Sequence, residues 1–338
     1  MNYPAILTKL IRRQDLSADE AAEAVDAILG GELGEARIAA FLAAMAAKGE
    51  TVEELAGASR AMRRRAVRVQ AAGQTVVDTC GTGGDNSGTF NVSTTTAFVV
   101  AGAGVAVAKH GNRSVSSRCG SADVLEALGV KIDADPERME QALNEIGIAF
   151  LFAPRYHAAM RHAAPVRKQL GVRTLFNLLG PLANPAGATC QLLGVYAAEH
   201  TEMFAHALRL LGTRRAFVVH GHDGMDEITV CAATRVSELN QGAVKTYDLL
   251  PERYFGRRAA LADVAGGDAA ANAAILNAVL DGEPGARRDL VLINAAAALV
   301  AAGRAPDLAA GLELAGTSVD KGLAREKLQA LVRASQAS

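Results

Sequence analysis

VVDTCGTGGDNSGTFNVSTTTAFVV, residues 76–100, starts as a short apolar run and breaks into a loop with glycines at 81, 83, 84 and 88. It resumes at Asn91 as an apolar helix. A strand, a glycine-rich loop and a helix in that order are the local signature of α/β texture. Glycines let backbone N–H groups approach an anion closely, and a helix start adds free donors and a favourable dipole. Asn91, Ser93, Thr94 and Thr95 contribute side-chain donors, so the stretch reads as a phosphate cradle. No Gly-Lys-Ser/Thr closes it, which excludes a Walker loop, and Asn86 stands where a dinucleotide fingerprint needs its third glycine. The competing reading is a glycine-rich turn with an N-cap, but a cap does not need so many donors beside an acidic residue.

Upstream, residues 4–66 carry only helical patterns. Ile6, Leu7, Leu10 and Ile11 recur at helical spacing, and Ser17 or Asp19 is placed to cap a second helix to Leu29, which Gly30 and Gly31 stop. Further apolar faces lie at Ile38–Met45 and Val52–Met62. The arginines at 63–65 fall at a helix end, where cations suit the dipole, and are expected to be solvated. Downstream of Gly73, apolar runs at Val76–Val77, Val105–Ala108 and Ala216–His220 read as buried parallel strands. They alternate with helical segments, including Ala270–Leu280 and Asp289–Ala302. The expected fold class is α/β: a small N-terminal helical domain over 1–72 and a larger α/β domain over 73–338 with a mostly parallel sheet.

Three further stretches draw attention. KHGNRSVSSRCGSAD, residues 109–123, follows the strand at 105–108 and so sits at a strand's carboxyl end, where open α/β sheets bind ligands. Its three cations and four serines suit a polyphosphate; the bland alternative is a solvated loop. HGHDGMDE, residues 220–227, places adjacent carboxylates on a glycine-containing loop after a strand. That suits Mg²⁺, which takes oxygen ligands and keeps several waters, although an exposed acidic turn would look the same. His220 and His222 have no further ligand at a spacing that suits zinc. RTLFNLLGPLANP, residues 173–185, shows turns at Gly-Pro and Asn-Pro after a short helix, and composition alone gives it no chemical meaning.

The 338 residues are half apolar, with 35 basic against 36 acidic side chains. That balance gives no global attraction to nucleic acid or to anionic membrane, so an anionic ligand must be caught by local geometry. The four widely spaced cysteines lack both the pairing of a zinc site and the density of a disulfide framework. No apolar stretch reaches the roughly 20 residues that span a bilayer, and the N-terminal stretch does not read as a signal peptide. A soluble cytoplasmic protein is expected.

Taken together and in order, these motifs resemble the anthranilate phosphoribosyltransferase family. The carriers are GTGGD at 81–85, NVST at 91–94, KHGNR at 109–113, DGMDE at 223–227 and RTLFNLLGPL at 173–182. The resemblance implies a helical domain, joined by helices from about 165–185, packed on the α/β domain, and a homodimer. It implies transfer of a phosphoribosyl group from phosphoribosyl pyrophosphate to anthranilate, with two Mg²⁺ ions, in tryptophan synthesis. By the same resemblance the donor would be held by Gly81, Gly84, Asp85, Thr89, Asn91, Val92, Ser93 and Thr94. Lys109, His110, Gly111, Asn112, Arg113, Ser114, Val115, Ser116, Ser117 and Ser121 would complete that set. Gly81, Asn112 and Arg167 would contact anthranilate, Ser93, Asp226 and Glu227 would ligate metal, and His110 is a candidate proton acceptor. The alternatives are a pyrimidine nucleoside phosphorylase and a non-catalytic nucleic-acid binder on the same scaffold. Paired carboxylates at 226–227 and the 173–182 segment speak against the first, and the balanced charge against the second.

Overall fold

A computed structural model describes residues 2–85, 87–114 and 118–337. Four helices come first: α1 (Tyr3–Ile11), α2 (Ala18–Leu29), α3 (Glu35–Lys48) and α4 (Val52–Arg64). Ser17 caps α2 and Thr51 caps α4, each in a reciprocal box with the glutamate three residues on, Glu20 and Glu54. Glu54 is fully buried and satisfied: it accepts from the backbone of Leu16 (2.9 Å) and Thr51 (2.8 Å) and pairs with Lys48 (2.9 Å).

The solvated reading of residues 63–65 fails at Arg63. Its Nε donates to the Leu182 carbonyl at 2.6 Å, and burial lowers its pKa to about 10. The α4 terminus abuts the 180–183 segment, so dehydration and a backbone acceptor replace water. Arg65 instead makes a two-pronged bond to Asp26, both arms 2.9 Å.

Among the described residues seven strands form one sheet in the order β3-β2-β1-β4-β5-β6-β7. They are β1 (Val76–Gly81), β2 (Ala106–Gly111), β3 (Ile148–Phe152), β4 (Cys190–Gly194), β5 (Arg215–Gly221), β6 (Thr234–Asn240) and β7 (Ala243–Leu249). The first five run parallel, and β6 and β7 add an antiparallel edge. The chain builds outward from β1 through β2 to β3 and then returns to lay β4 on the other side of β1. That reversal makes the carboxyl ends of β1 and β4 a topological switch point, where open sheets leave a ligand crevice.

Two cores hold the chain. One joins the sheet to the helices at 92–102, 286–301 and 323–336; the 286–301 helix is buried at every residue from Leu290 to Ala301, as befits a helix apolar all round. The other joins α1–α4 to residues 163–183, to Phe204 of the helix at 200–210 and to the sheet's opposite face through Leu193 and Val218. Among the described residues no helix is long and apolar enough to cross a membrane.

Candidate active site

The strands flanking the switch point end on paired glycines, Gly81 opposite Gly194. Both are forced by Asp226, which folds over them from the loop after β5. A Cβ on Gly194 would lie 1.6 Å from the Asp226 carbonyl, and one on Gly81 would lie 2.5 Å from its carboxylate. The carboxylate accepts from the Gly83 N–H at 3.1 Å, and the Asp226 N–H donates to Asp85 at 3.3 Å. The 81–85 loop and the 223–227 loop are thus laced together, as the sequence stretches alone did not reveal.

Helix α5 (Val92–Gly102) starts beside them, with Asn91 at its N-cap. Glu227 is buried and accepts from the Ser93 backbone, where the helix dipole favours a negative charge. Burial, then repulsion from Asp226, pushes the Glu227 carboxyl well up; burial, then the Asp85 charge, pushes Asp226 up. The 226–227 pair is therefore no exposed acidic turn. Crowded carboxylates with raised pKa values are a donor set that a cation would relieve. Lys109 faces the same region: buried at the end of β2, it donates to the Thr79 carbonyl (2.5 Å) and to Ser93 Oγ (3.2 Å). Burial pulls its pKa down, while Asp78, Glu227 and Asp226 oppose that shift. Asp78, fully buried behind it, is itself pushed up by burial and held by Asn184 (2.7 Å) and the His110 N–H (3.2 Å). Among the described residues no three His, Cys, Asp or Glu side chains form a complete metal cage. Mg²⁺ requires none, because it commonly takes one or two carboxylates and fills the rest with water and phosphate oxygens.

Several expected donors are otherwise engaged. Thr95 is fully buried and returns its hydroxyl to the Asn91 carbonyl (2.9 Å), the usual back-bond of a helical threonine, so it does not face the loop. The Asn91 side chain bridges Cys119 O (3.1 Å) and Asn272 (2.9 Å). Arg113 is not a free cation: it contacts Asp123 (2.9 Å) and Glu126 (2.9 and 3.0 Å). Asp123 also accepts from the Ser114 and Gly120 N–H groups, folding the loop round itself. Ser121 Oγ donates to the Asn112 carbonyl at 3.2 Å, Asn112 Oδ1 accepts from the Arg113 N–H at 2.8 Å, and Gly111 pairs with Phe152 of β3. Ser87 bridges Asp85 and Thr89. Val92 is buried, and Thr94 Oγ1 is buried with no partner among the described residues. Val115, Ser116 and Ser117 lie outside the described residues.

On the helical side, His110 Nδ1 sits 3.1 Å from the Gly180 carbonyl, which makes Nδ1 the donor and Nε2 an acceptor. His157 stacks obliquely on it with centroids 5.1 Å apart. Burial lowers both, His110 to about 3 and His157 to about 4, so both rings are neutral. Arg167 stands 5.8 Å over the Phe176 ring; its Nε is buried without a partner among the described residues, and burial lowers its pKa. Sequence reasoning passed over Asp78, His157, Asn184 and Arg173. Asn184 bridges Asp78 and Ala108 O, and Arg173 reaches the Gly84 carbonyl at 2.6 Å. The 173–185 segment had no legible chemistry because its work is to join the two halves.

Residues 4–66 match the family described as "Glycosyl transferase family, helical bundle domain", and residues 73–325 that described as "Glycosyl transferase family, a/b domain". The chain is 63% identical over 331 residues to an anthranilate phosphoribosyltransferase of Desulfosudis oleivorans, covering 98% of each chain. The crystal structure of the Thermus thermophilus enzyme of that name superposes with a TM-score of 0.92 at 44% identity, over 98% of this chain and 99% of that one. The Saccharomyces cerevisiae enzyme, in complex with PRPP and Mg, superposes with a TM-score of 0.89 at 28% identity, over 98% and 97%. With sheet order, crevice and near-complete sequence matches in agreement, the chain belongs to the anthranilate phosphoribosyltransferase family.

Proposed function

We propose that the chain transfers the 5-phosphoribosyl group of phosphoribosyl pyrophosphate to the amine of anthranilate, releasing pyrophosphate, as a Mg²⁺-dependent step of tryptophan synthesis in the cytoplasm. The observation that carries this reading is the convergence of Asp226, Glu227, Lys109 and Ser93 at the β1/β4 crevice, beside a glycine loop and a helix start. A phosphate-only reaction has no need of adjacent, crowded carboxylates. An anionic donor held through Mg²⁺ does.

In this reading the pyrophosphate lies along Gly81, Gly84, Asp85, Thr89 and Asn91–Thr94, and the rest of the donor along Lys109–Ser117 and Ser121. Ser93, Asp226 and Glu227 would hold two Mg²⁺ ions. When bound, Mg²⁺ neutralises charge gathering on the leaving pyrophosphate. Lys109, anchored on Thr79 and Ser93, adds a fixed positive charge on the same side. Arg167, its buried Nε without a partner among the described residues, suits the anthranilate carboxylate, with Gly81 and Asn112 on the same substrate. The amine attacks the ribose C1 as the C1–O bond to pyrophosphate breaks and its electron pair departs with the leaving group. The nitrogen then sheds a proton to solvent. Anthranilate's amine is neutral and nucleophilic, so it needs alignment more than a strong base. His110, held neutral with a pKa near 3, is too weak a base to take that proton usefully and serves to shape the pocket. The helical part, 1–72 with helices from about 165–185, closes the cleft over residues 73–338, and the working unit is a homodimer.

The test follows anthranilate fluorescence with phosphoribosyl pyrophosphate, with and without Mg²⁺. Loss of signal that requires Mg²⁺ and fails with ribose 5-phosphate is the expected result. A folded protein that leaves anthranilate untouched but cleaves thymidine with phosphate would overturn it. Replacing Asp226 and Glu227 together by alanine should abolish turnover while circular dichroism stays native; full activity would sink the metal assignment.

A further inference from the structure

Arg173 lies on the short connector between the helices Ala164–Leu170 and Leu175–Leu179, which pack in the core of the helical side. Its side chain leaves that side and donates from Nη2 to the Gly84 carbonyl at 2.6 Å. Its guanidinium lies 4.0 Å above the Tyr196 ring, well within cation–π range. Tyr196 is fixed in turn: its ring meets His200 edge-on at 4.9 Å, its hydroxyl bonds His200 Nε2 at 2.9 Å, and its N–H donates to Thr82 Oγ1 at 3.1 Å. Thr82 begins the loop that Gly84 continues. Arg173, Gly84, Thr82 and Tyr196 therefore close a ring of contacts around the turn of the glycine loop.

A planar trans peptide points its carbonyl and its following N–H in opposite directions. Holding the Gly84 carbonyl on Arg173 thus turns the Asp85 N–H away from Arg173. Gly84 has φ +74, where only glycine sits without strain, and glycine readily visits either hand. Left untied, this peptide could rotate and present a carbonyl where an anion needs a donor. A side chain at Gly84 would be strained at this φ, and its Cβ, 2.8 Å from Arg173 Nη2, would push the guanidinium off the carbonyl it holds.

We infer that Arg173 is a positioning residue for the phosphoribosyl donor: from the helical side it fixes the Gly84–Asp85 peptide so that the loop offers an N–H, not a carbonyl, to the pyrophosphate. The inference deepens the proposed function and rests on it. Arg173 is exposed to solvent, so its bare charge is screened, and its effect comes from planar bonding and stacking, which lysine cannot reproduce.

The experiment measures both Michaelis constants and kcat for Arg173→Ala, Arg173→Lys and Tyr196→Leu, with melting temperatures and calorimetric titration with magnesium pyrophosphate. Arg173→Ala should raise the donor KM about tenfold and weaken magnesium pyrophosphate binding about as much, as expected when a charged hydrogen bond is lost. The anthranilate KM and kcat should stay within about twofold by the same accounting. Arg173→Lys should recover little, and Tyr196→Leu should shift the donor KM in the same direction. Because the two side chains act as one unit, the Arg173→Ala/Tyr196→Leu double variant should be no worse than Arg173→Ala. An unchanged donor KM, a loss confined to kcat, or full rescue by lysine would overturn the inference. So would a parallel rise in both KM values with a lower melting temperature, the mark of mere destabilisation. A wild-type chain inactive towards anthranilate would fail the proposed function instead, and the magnesium pyrophosphate titration would still judge Arg173.

Discussion

Lys109 and Arg113 are four residues apart in one basic stretch, yet the fold treats them oppositely. Lys109 lies within β2, buried, its ammonium bonded to Thr79 O and Ser93 Oγ with Asp78 and Glu227 near. Arg113 lies past the strand end and is spent on Asp123 and Glu126 of the next helix. The difference is one of backbone constraint. A residue within a parallel strand has its side-chain direction set by the sheet, whereas a loop residue turns towards whatever countercharge its own turn supplies. Charge counted along a sequence is therefore poor evidence of charge available to a ligand.

The sharpest way to break that comparison is to remove Lys109. Lys109→Met should lower kcat/KM at least about a hundredfold, the scale of losing a preorganised electrostatic contact. It should also destabilise the fold by about 3 kcal/mol, because Asp78 and Glu227 lose their buried countercharge. Steady-state kinetics and thermal melts check both. Activity within a few-fold of wild type would mean that Lys109 is a structural cation only.

The same contrast marks what was legible in the sequence. Strand, glycine loop and helix at 76–100 announced their own geometry, because glycine and helix-start residues have narrow backbone uses. The parallel strands β1, β2 and β5 and the late helices could likewise be read from apolar runs. Strands β3 and β4 and the β6–β7 hairpin were not singled out: IAFLF and CQLLG are short buried runs without periodicity, and neither carries a motif. Asp78, His157, Asn184 and Arg173 were missed for another reason. Each acts across more than 20 residues of chain, and Asn184 meets Asp78 from 106 residues away. No local pattern encodes such a meeting. Thr95 and Arg113 were over-read because donor type is visible in a sequence and donor occupancy is not.

His110, between the two cations, sharpens the comparison by pH. It and His157 are held neutral by burial, with values near 3 and 4 against 6.5 for a free imidazole. Between about 6.5 and those values the unfolded chain binds protons that the folded chain refuses, so stability rises with pH there. Their contribution is complete above about pH 6.5 and is lost progressively as pH falls towards 4 and then 3. Denaturant melts from pH 7 to pH 4 should therefore show falling stability, and His157→Asn should flatten part of that slope. An identical slope in the variant would remove His157 from the account.

Arg113 should give the smallest effect, and its size tests the lesson drawn from the two cations. If availability governs function, the guanidinium contributes to donor binding only by shaping its loop through Asp123, which also holds the Ser114 and Gly120 N–H groups. Arg113→Ala then leaves Asp123 with its two backbone donors and costs only an exposed, solvent-screened ion pair. The donor KM should rise no more than about fivefold, because an exposed pair of this kind contributes little. The effect should be no larger at low salt than at high salt, since no direct contact between this charge and the pyrophosphate is lost. A loss approaching that of Lys109→Met, growing as salt is lowered, would show that Arg113 leaves Asp123 and Glu126 to meet the donor. The occupancy seen in the structure would then describe the resting loop and not the working one.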